Sequence, residues 1–188
     1  MRKLIAAINM SLDGTCDHTD MVPDDELIQH YNNLLRNADT LLYGRITYQL
    51  TYQLMESYWP ALVKNPTGNR PTDEFAVLID NISKIVFSRT LENVAWKKVN
   101  LLKGAIKEEV LALKHQTGGN MIAGSPGLID TLLDLDLVDE FQLCVQPIIF
   151  GKGLLLFKNI NNRINLKLIK TKVFGSGSIV LIYEPVKK

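Results

Sequence analysis

Ala38-Asp39-Thr40-Leu41-Leu42-Tyr43-Gly44-Arg45-Ile46-Thr47-Tyr48 opens with a short apolar run over 39 to 43 and passes through one glycine into a segment with helical spacing. A brief apolar run without alternation is the mark of a strand buried on both faces. Similar runs, each closed by glycine or turn-type residues, recur at 3 to 10, 84 to 88 and 119 to 123. Between them, Leu27, Tyr31, Leu34 and Leu35, then Leu50, Leu54 and Met55, then Ile106, Val110, Leu111 and Leu113 fall at helical intervals. Strand alternating with helix predicts an α/β architecture, a largely parallel sheet flanked by helices.

The last third has a different pattern. Residues 138 to 149, 163 to 174 and 178 to 184 are β-rich, and Gly175-Ser176-Gly177 joins the last two. A glycine turn between such segments predicts an antiparallel hairpin, so the sheet is mixed. Residues 60 to 73, with three prolines, Gly68 and Asn69, are expected to form one long loop. Nothing else marks a boundary, and residues 1–188 are read as one domain.

The 188 residues are 46% hydrophobic and 22% charged, enough for a core that needs neither disulfides nor structural metal. A formal charge of +1 without a basic run argues against a nucleic-acid partner. The apolar run Leu4 to Ile8 ends at Asn9, too short for a signal peptide, and no stretch approaches the roughly 18 apolar residues of a membrane span. Cys16 and Cys144 form no CxxC. A soluble cytoplasmic protein with two reduced thiols, off the membrane, is expected.

Three clusters suit an anionic ligand. Gly44-Arg45-Ile46-Thr47 stands where a strand opens into a helix, offering free amides, a guanidinium and a hydroxyl. Gly124-Ser125-Pro126-Gly127, before an apolar helix over 127 to 134, reads equally as a phosphate cradle and as a helix start, with Ser125 as N-cap and Pro126 in the first turn. Ser88-Arg89-Thr90 can hold a phosphate monoester or be a plain surface turn. Ligands of open α/β sheets gather outside the carboxyl ends of the strands, so all three clusters are expected to face one crevice.

Other candidates carry less. Cys16, Asp17, His18 and Asp20 match no zinc or EF-hand spacing, and no metal is expected. His18, His30 and His115 are scattered without a GxSxG. Asp134, Asp136, Asp139 and Glu140 read as a solvated acidic face. The tandem Thr47-Tyr48-Gln49-Leu50 and Thr51-Tyr52-Gln53-Leu54 reads as a duplicated helical turn.

The order of these motifs resembles the dihydrofolate reductase superfamily, and more closely its branch containing the reductase domain of bacterial riboflavin biosynthesis, the RibD C-terminal domain. The matching pieces are Asn9-Met10-Ser11-Leu12-Asp13-Gly14, Ala38 to Tyr48, Tyr58-Trp59-Pro60, Val86 to Leu91, Gly124 to Gly127, Leu137 to Glu140 and Pro147 to Gly153. The resemblance implies a dihydrofolate reductase-like sheet with NADPH across the strand ends. Gly44, Arg45 and Thr47 would lie near its phosphates, Ser88 and Arg89 at the 2'-phosphate, and Gly124, Ser125, Pro126, Gly127 and Leu128 under the pyrophosphate. Asn9, Ser11, Asp13 and Gly14 would line the nicotinamide and substrate end, with Tyr48 and Phe150 as walls and Asp13 or a water delivering a proton.

The resemblance further implies a homodimer that reduces a C=N or C=O group of a small heterocycle, 5-amino-6-(5-phosphoribosylamino)uracil being one candidate substrate. A nucleotide-binding module without turnover and a true dihydrofolate reductase are the alternatives. Dihydrofolate reductases carry a buried acid on the first helix, and Asp25 sits at the matching offset from Pro23.

Overall fold

The computed structural model describes residues 1–16, 24–94, 96–160 and 162–186, and the side chains of 50–57 lie outside that description. In chain order the elements are β1 (Leu4–Ser11), α1 (Asp25–Arg36), β2 (Ala38–Gly44), α2 (Arg45–Lys64), α3 (Arg70–Asn81), β3 (Ser83–Phe87) and β4 (Val99–Leu102). There follow α4 (Ile106–His115), β5 (Asn120–Ala123), α5 (Pro126–Asp134), β6 (Glu140–Gln146), β7 (Leu166–Val173) and β8 (Ile179–Pro185). The strands form one sheet in the order β4-β3-β2-β5-β1-β6-β8-β7. Pairing is parallel from β4 to β6, while β8 is antiparallel to both β6 and β7. The expected mixed, mainly parallel sheet with a C-terminal antiparallel hairpin is therefore the observed one. Gly177, at φ +84°, supplies the hairpin's positive backbone angle.

Alternation along each buried strand divides the core in two. Leu4, Ala6 and Ile8 of β1 pack with Leu42, Ile85, Phe87, Met121 and Ala123 under α4 and α5. Ile5 and Ala7 face the other way, with Leu41, Tyr43, Val86 and Ile122, under α1, α2 and α3. Side chains of consecutive strand residues point to opposite faces, so an unbroken apolar run is what a strand covered on both sides requires. Burying a side chain such as Leu4 or Leu42 is worth about 2 kcal/mol.

Two elements depart from expectation. The loop read over 60 to 73 is helical at both ends: α2 continues through Pro60 to Lys64, and α3 begins at Arg70. Pro71 stands in the first turn of α3, where a missing N–H costs no hydrogen bond, and the Asn69 side chain caps the helix by accepting from the Thr72 N–H at 3.0 Å. The acidic patch also divides. Asp134 and Asp136 are exposed, but Asp139 accepts from the Leu4 N–H at 2.8 Å and pairs with the buried Lys114. It anchors the start of β1.

Both thiols are free and buried, and burial pushes each up to about 12. No helix among the described residues is long and apolar enough to cross a membrane. Asp17, His18 and Asp20 of the rejected metal cluster, and Pro23, lie outside the described residues.

Helix α1 is tied to the hairpin at its first turn. Asp24 caps it by accepting from the Leu27 N–H at 2.7 Å, and Asp24 and Glu26 also accept from the Ser176 and Gly175 amides. Further along, the Lys172 ammonium donates to Nδ1 of buried His30 at 2.7 Å. Burial first, and the Lys172 charge second, lower the His30 pKa from 6.5 to about 4. Between those values the unfolded chain holds a proton on His30 that the folded chain does not, so stability falls as pH falls through that window. Denaturant midpoints should show a loss of about 2 kcal/mol from this group between pH 7 and pH 5. In His30→Gln that part of the loss should vanish; an equal loss in both proteins refutes the assignment.

Candidate functional site

Strands β2, β3 and β5 are parallel, so the three clusters that follow them emerge at the same end of the sheet, beyond the strands' carboxyl ends. Gly44 ends β2 in register with Phe87 of β3, and Leu42 lies beside Ala123 of β5. From these neighbouring strands the chain leaves in opposite directions. Helix α2 buries Tyr48 in the core below one face, whereas α5 buries Leu128 and Ile129 below the other. Adjacent parallel strands whose connections diverge open a crevice between their carboxyl ends.

One hydrogen bond spans this crevice's floor: the Gly44 N–H donates to the Ser125 hydroxyl oxygen at 3.0 Å. Ser125 is 2% exposed and occupies the N-cap position of α5, yet it makes no capping bond to that helix. The expectation of a capping serine is corrected. Its oxygen is drawn to β2 because β5 lies directly beside that strand, and its hydroxyl proton remains able to donate.

The helix starts at the crevice differ from the others. Asp24 and Asn69 cap α1 and α3, which also carry acids in their first turns, and α4 has Glu108 and Glu109 there. Neither α2 nor α5 has a side-chain cap or an acid in its first turn. Amides at a helix start carry partial positive charge, which a cap or an acid normally satisfies. At α2 the first residue is instead Arg45, exposed and held by donation to Gln49 Oε1 at 2.8 Å. A Cβ on Gly127 meets nothing within 4 Å, leaving its amide approachable.

At the neighbouring strand ends, the Ser88 N–H donates to the Leu102 carbonyl at 3.1 Å, joining the exits of β3 and β4. The Ser88 hydroxyl oxygen accepts from the amides of Thr90 and Leu91, which closes the turn and leaves its proton to donate. Arg89 is exposed beside it. Lys103, exposed directly after Leu102, adds a cation that sequence reading missed. Its only signal was the short run Val99 to Leu102, too brief and too interrupted by Asn100 to be recognised as a strand.

The β1 end is organised around its turn. Gly14, at φ +82°, bends the chain so that its N–H donates to the Ser11 carbonyl, and the Ser11 N–H donates to the Thr15 carbonyl. The chain after β6 closes over this turn. The Leu12 N–H donates to Ile148 O, Cys16 N–H to Leu154 O, and Leu156 N–H to Gly14 O. Gly153 makes the approach possible: at φ +135°, a Cβ there would stand 2.5 Å from the Thr15 methyl.

Asp13 accepts from the Ser11 hydroxyl and from the Gly151 and Phe150 amides, at 2.7 and 3.3 Å for the latter two. The Ser11 bond first, then that of Gly151, hold its carboxyl below the ordinary carboxylate range. An ionised, triply bonded carboxylate fixes a loop and accepts a proton more readily than it donates one.

The remaining substrate-end residues separate. Asn9 is half-buried, and its Oδ1 accepts from the Tyr31 hydroxyl at 2.7 Å. Phe150 is half-buried at the closing segment. Ser11 is wholly buried with its hydroxyl engaged, and Tyr48 is 3% exposed within the core under α1 to α3. Neither forms an open wall, because each points from its element into packed protein. Asp25 is exposed and accepts from Asn69 Nδ2 at 2.9 Å, so the buried acid that a dihydrofolate reductase would carry is not supplied by this residue.

Comparisons with known proteins agree with this fold. The fold is similar to that of a protein described as a "putative riboflavin biosynthesis protein" from Shewanella sp. PV-4, with a TM-score of 0.73 at 20% identity over 98% of this chain and 99% of that one. It is also similar to dihydrofolate reductase from Enterococcus faecalis in complex with NADP(H), with a TM-score of 0.62 at 15% identity over 98% and 97% of the two chains. In sequence the chain is 32% identical to the uncharacterized protein YyaP of Bacillus subtilis (strain 168), covering 97% of this chain and 95% of that protein. With the family model of the RibD C-terminal domain matching residues 2–180, this chain belongs to the RibD C-terminal domain family, a branch of the dihydrofolate reductase-like fold.

Proposed function

We propose that the protein is an NADPH-dependent reductase of a small heterocyclic substrate. The observation that carries this reading is the pair of uncapped, acid-free helix starts at α2 and α5 on adjacent strand ends, with Arg45 exposed as the first residue of α2. These residues fit a dinucleotide: the amides of Gly127 and Leu128 and the Ser125 hydroxyl suit the pyrophosphate, and Gly44, Arg45 and Thr47 flank it. Ser88, Arg89 and Lys103 gather two cations and a free hydroxyl proton where the 2'-phosphate would lie.

When bound, NADPH supplies the hydride, which a C=N or C=O carbon takes while the attached nitrogen or oxygen takes a proton. The chain's part is to bind, orient and exclude water. Asn9, Gly14 and Phe150 border the substrate end, and Asp13 holds the turn and closing segment together, with the proton reaching the substrate from water. A pyrimidine of the kind reduced in riboflavin synthesis is the substrate class we favour. A structurally similar Thermotoga maritima protein is described as a deaminase and 5-amino-6-(5-phosphoribosylamino)uracil reductase, and this chain spans 57% of its length.

The same reading makes the protein a cytoplasmic homodimer. On the hairpin, Leu168 and Val173 are 51% and 71% exposed, and they lie on the side whose partners in β8 are Tyr183 and Ile179. A second copy covering this apolar face would remove it from water.

Two measurements test these assignments. In fluorescence titrations, Arg89→Ala should weaken NADPH about 10- to 100-fold and NADH less than threefold; equal weakening refutes the 2'-phosphate role, and absence of NADPH binding by the native protein refutes the reductase. In analytical ultracentrifugation the native chain should sediment as a dimer and the double variant Leu168→Glu, Val173→Glu as a folded monomer. A native monomer refutes the interface.

A further inference from the structure

A second cavity lies away from the strand-end crevice. It is lined by Leu133, Phe141, Phe157, Ile160, Ile164 and Leu166 and has a volume of about 160 Å³. Phe141 is near the amino end of β6 and Leu133 near the carboxyl end of α5, whereas the crevice uses the carboxyl ends of the strands and the first residues of α5. The cavity is thus at the opposite end of the same helix, about 10 Å along its axis from Gly127. Phe157 and Leu166, 36% and 37% exposed, stand at its opening, and Phe141 closes its floor at 1%.

All six of the described lining residues carry hydrocarbon side chains, so the lining is mainly apolar. A mainly apolar space of this volume is large enough for a molecule the size of benzene. The backbone adds a second observation. Phe157 has φ +63°, a conformation uncommon for an aromatic residue, and this holds its ring edge-on to Phe141 with centroids 6.1 Å apart. Asn159, two residues on, is tied to α5 through its N–H to Asp130 Oδ2 at 3.3 Å. The chain therefore accepts an unfavourable backbone angle that sets the Phe157 ring at the opening of this space, where a bound apolar group would gain contacts.

We propose that this cavity is a binding site for a small uncharged apolar molecule, the size of a single six-membered ring, separate from the reductase crevice. Edge-on aromatic contacts from Phe141 and Phe157 favour a planar ring over a chain of similar volume. The mainly apolar lining favours an uncharged ligand over an ion.

The test uses the full-length chain with methyl groups labelled for NMR and benzene as probe, and it requires neither cofactor nor turnover, so its outcome is independent of the reductase reading. Saturable shifts confined to Leu133, Ile160, Ile164 and Leu166 methyls are expected, with a dissociation constant of about 1 mM. Ile164→Trp and, as a second variant at a more exposed position, Leu166→Trp should each weaken the probe at least tenfold while leaving NADPH affinity unchanged. Lack of saturation, or equal binding by both filled variants, overturns the proposal. Binding only by the monomeric Leu168→Glu, Val173→Glu protein also overturns it, since the cavity is then the seat of a second copy.

Discussion

Everything at the candidate site depends on the insertion of β5 between β1 and β2. Parallel strands cannot be joined by a tight turn; each crossover needs a long connection, which carries a helix everywhere but between β3 and β4, and returns to the same end of the sheet. The chain runs outward from β2 to β4 and then comes back into the gap beside β1, so two strands distant in sequence become neighbours whose helices leave from opposite faces. The hydrogen bond from Gly44 to Ser125 is the local result. It joins positions 81 residues apart and sets the separation of two helix starts that must act on one ligand.

A different constraint governs the substrate end. The turn after β1 contains little that can hold itself in place beyond the bonds among Ser11, Gly14 and Thr15, and its outer side is secured by the chain after β6. That contact is mostly backbone to backbone, and Asp13 reinforces it with a carboxylate on two amides. Steric space, more than attraction, permits it: Gly153 is where the two segments pass so closely that a Cβ would meet the Thr15 methyl. The geometry around the substrate therefore rests on residues that need not touch it.

Much of this was legible in the residues. Leu4 to Ile8 and Leu41 to Tyr43 read as buried strands because both faces of each are covered, and the structure covers them with two separate core clusters. Gly175 to Gly177 marked the hairpin because only a few residue types accept its backbone angles. The three anion clusters were also visible, since each places glycine, hydroxyl or arginine just after a strand. What escaped was context. Helix α3 was hidden by prolines and glycine that serve as its entry, and Lys103 by a four-residue strand too short to show a pattern. The partner of the Ser125 hydroxyl and the direction of Tyr48 escaped because local sequence does not say whether a polar side chain turns to its own helix, to a neighbouring strand or to the core.

By itself, then, the sequence determined most of the elements, the mixed sheet, the hairpin and the family, because apolar periodicity, turn chemistry and motif order are local properties written along the chain. The tertiary structure alone decided which side chains face which. Strand order brought Ser125 to Gly44, Lys103 to Ser88 and Gly151 to Asp13, and burial set the state of His30 and the two thiols. The physical reason is that hydrogen bonds, charge and desolvation act through distances of a few ångströms in space, and chain separation carries no information about those distances until the sheet has formed.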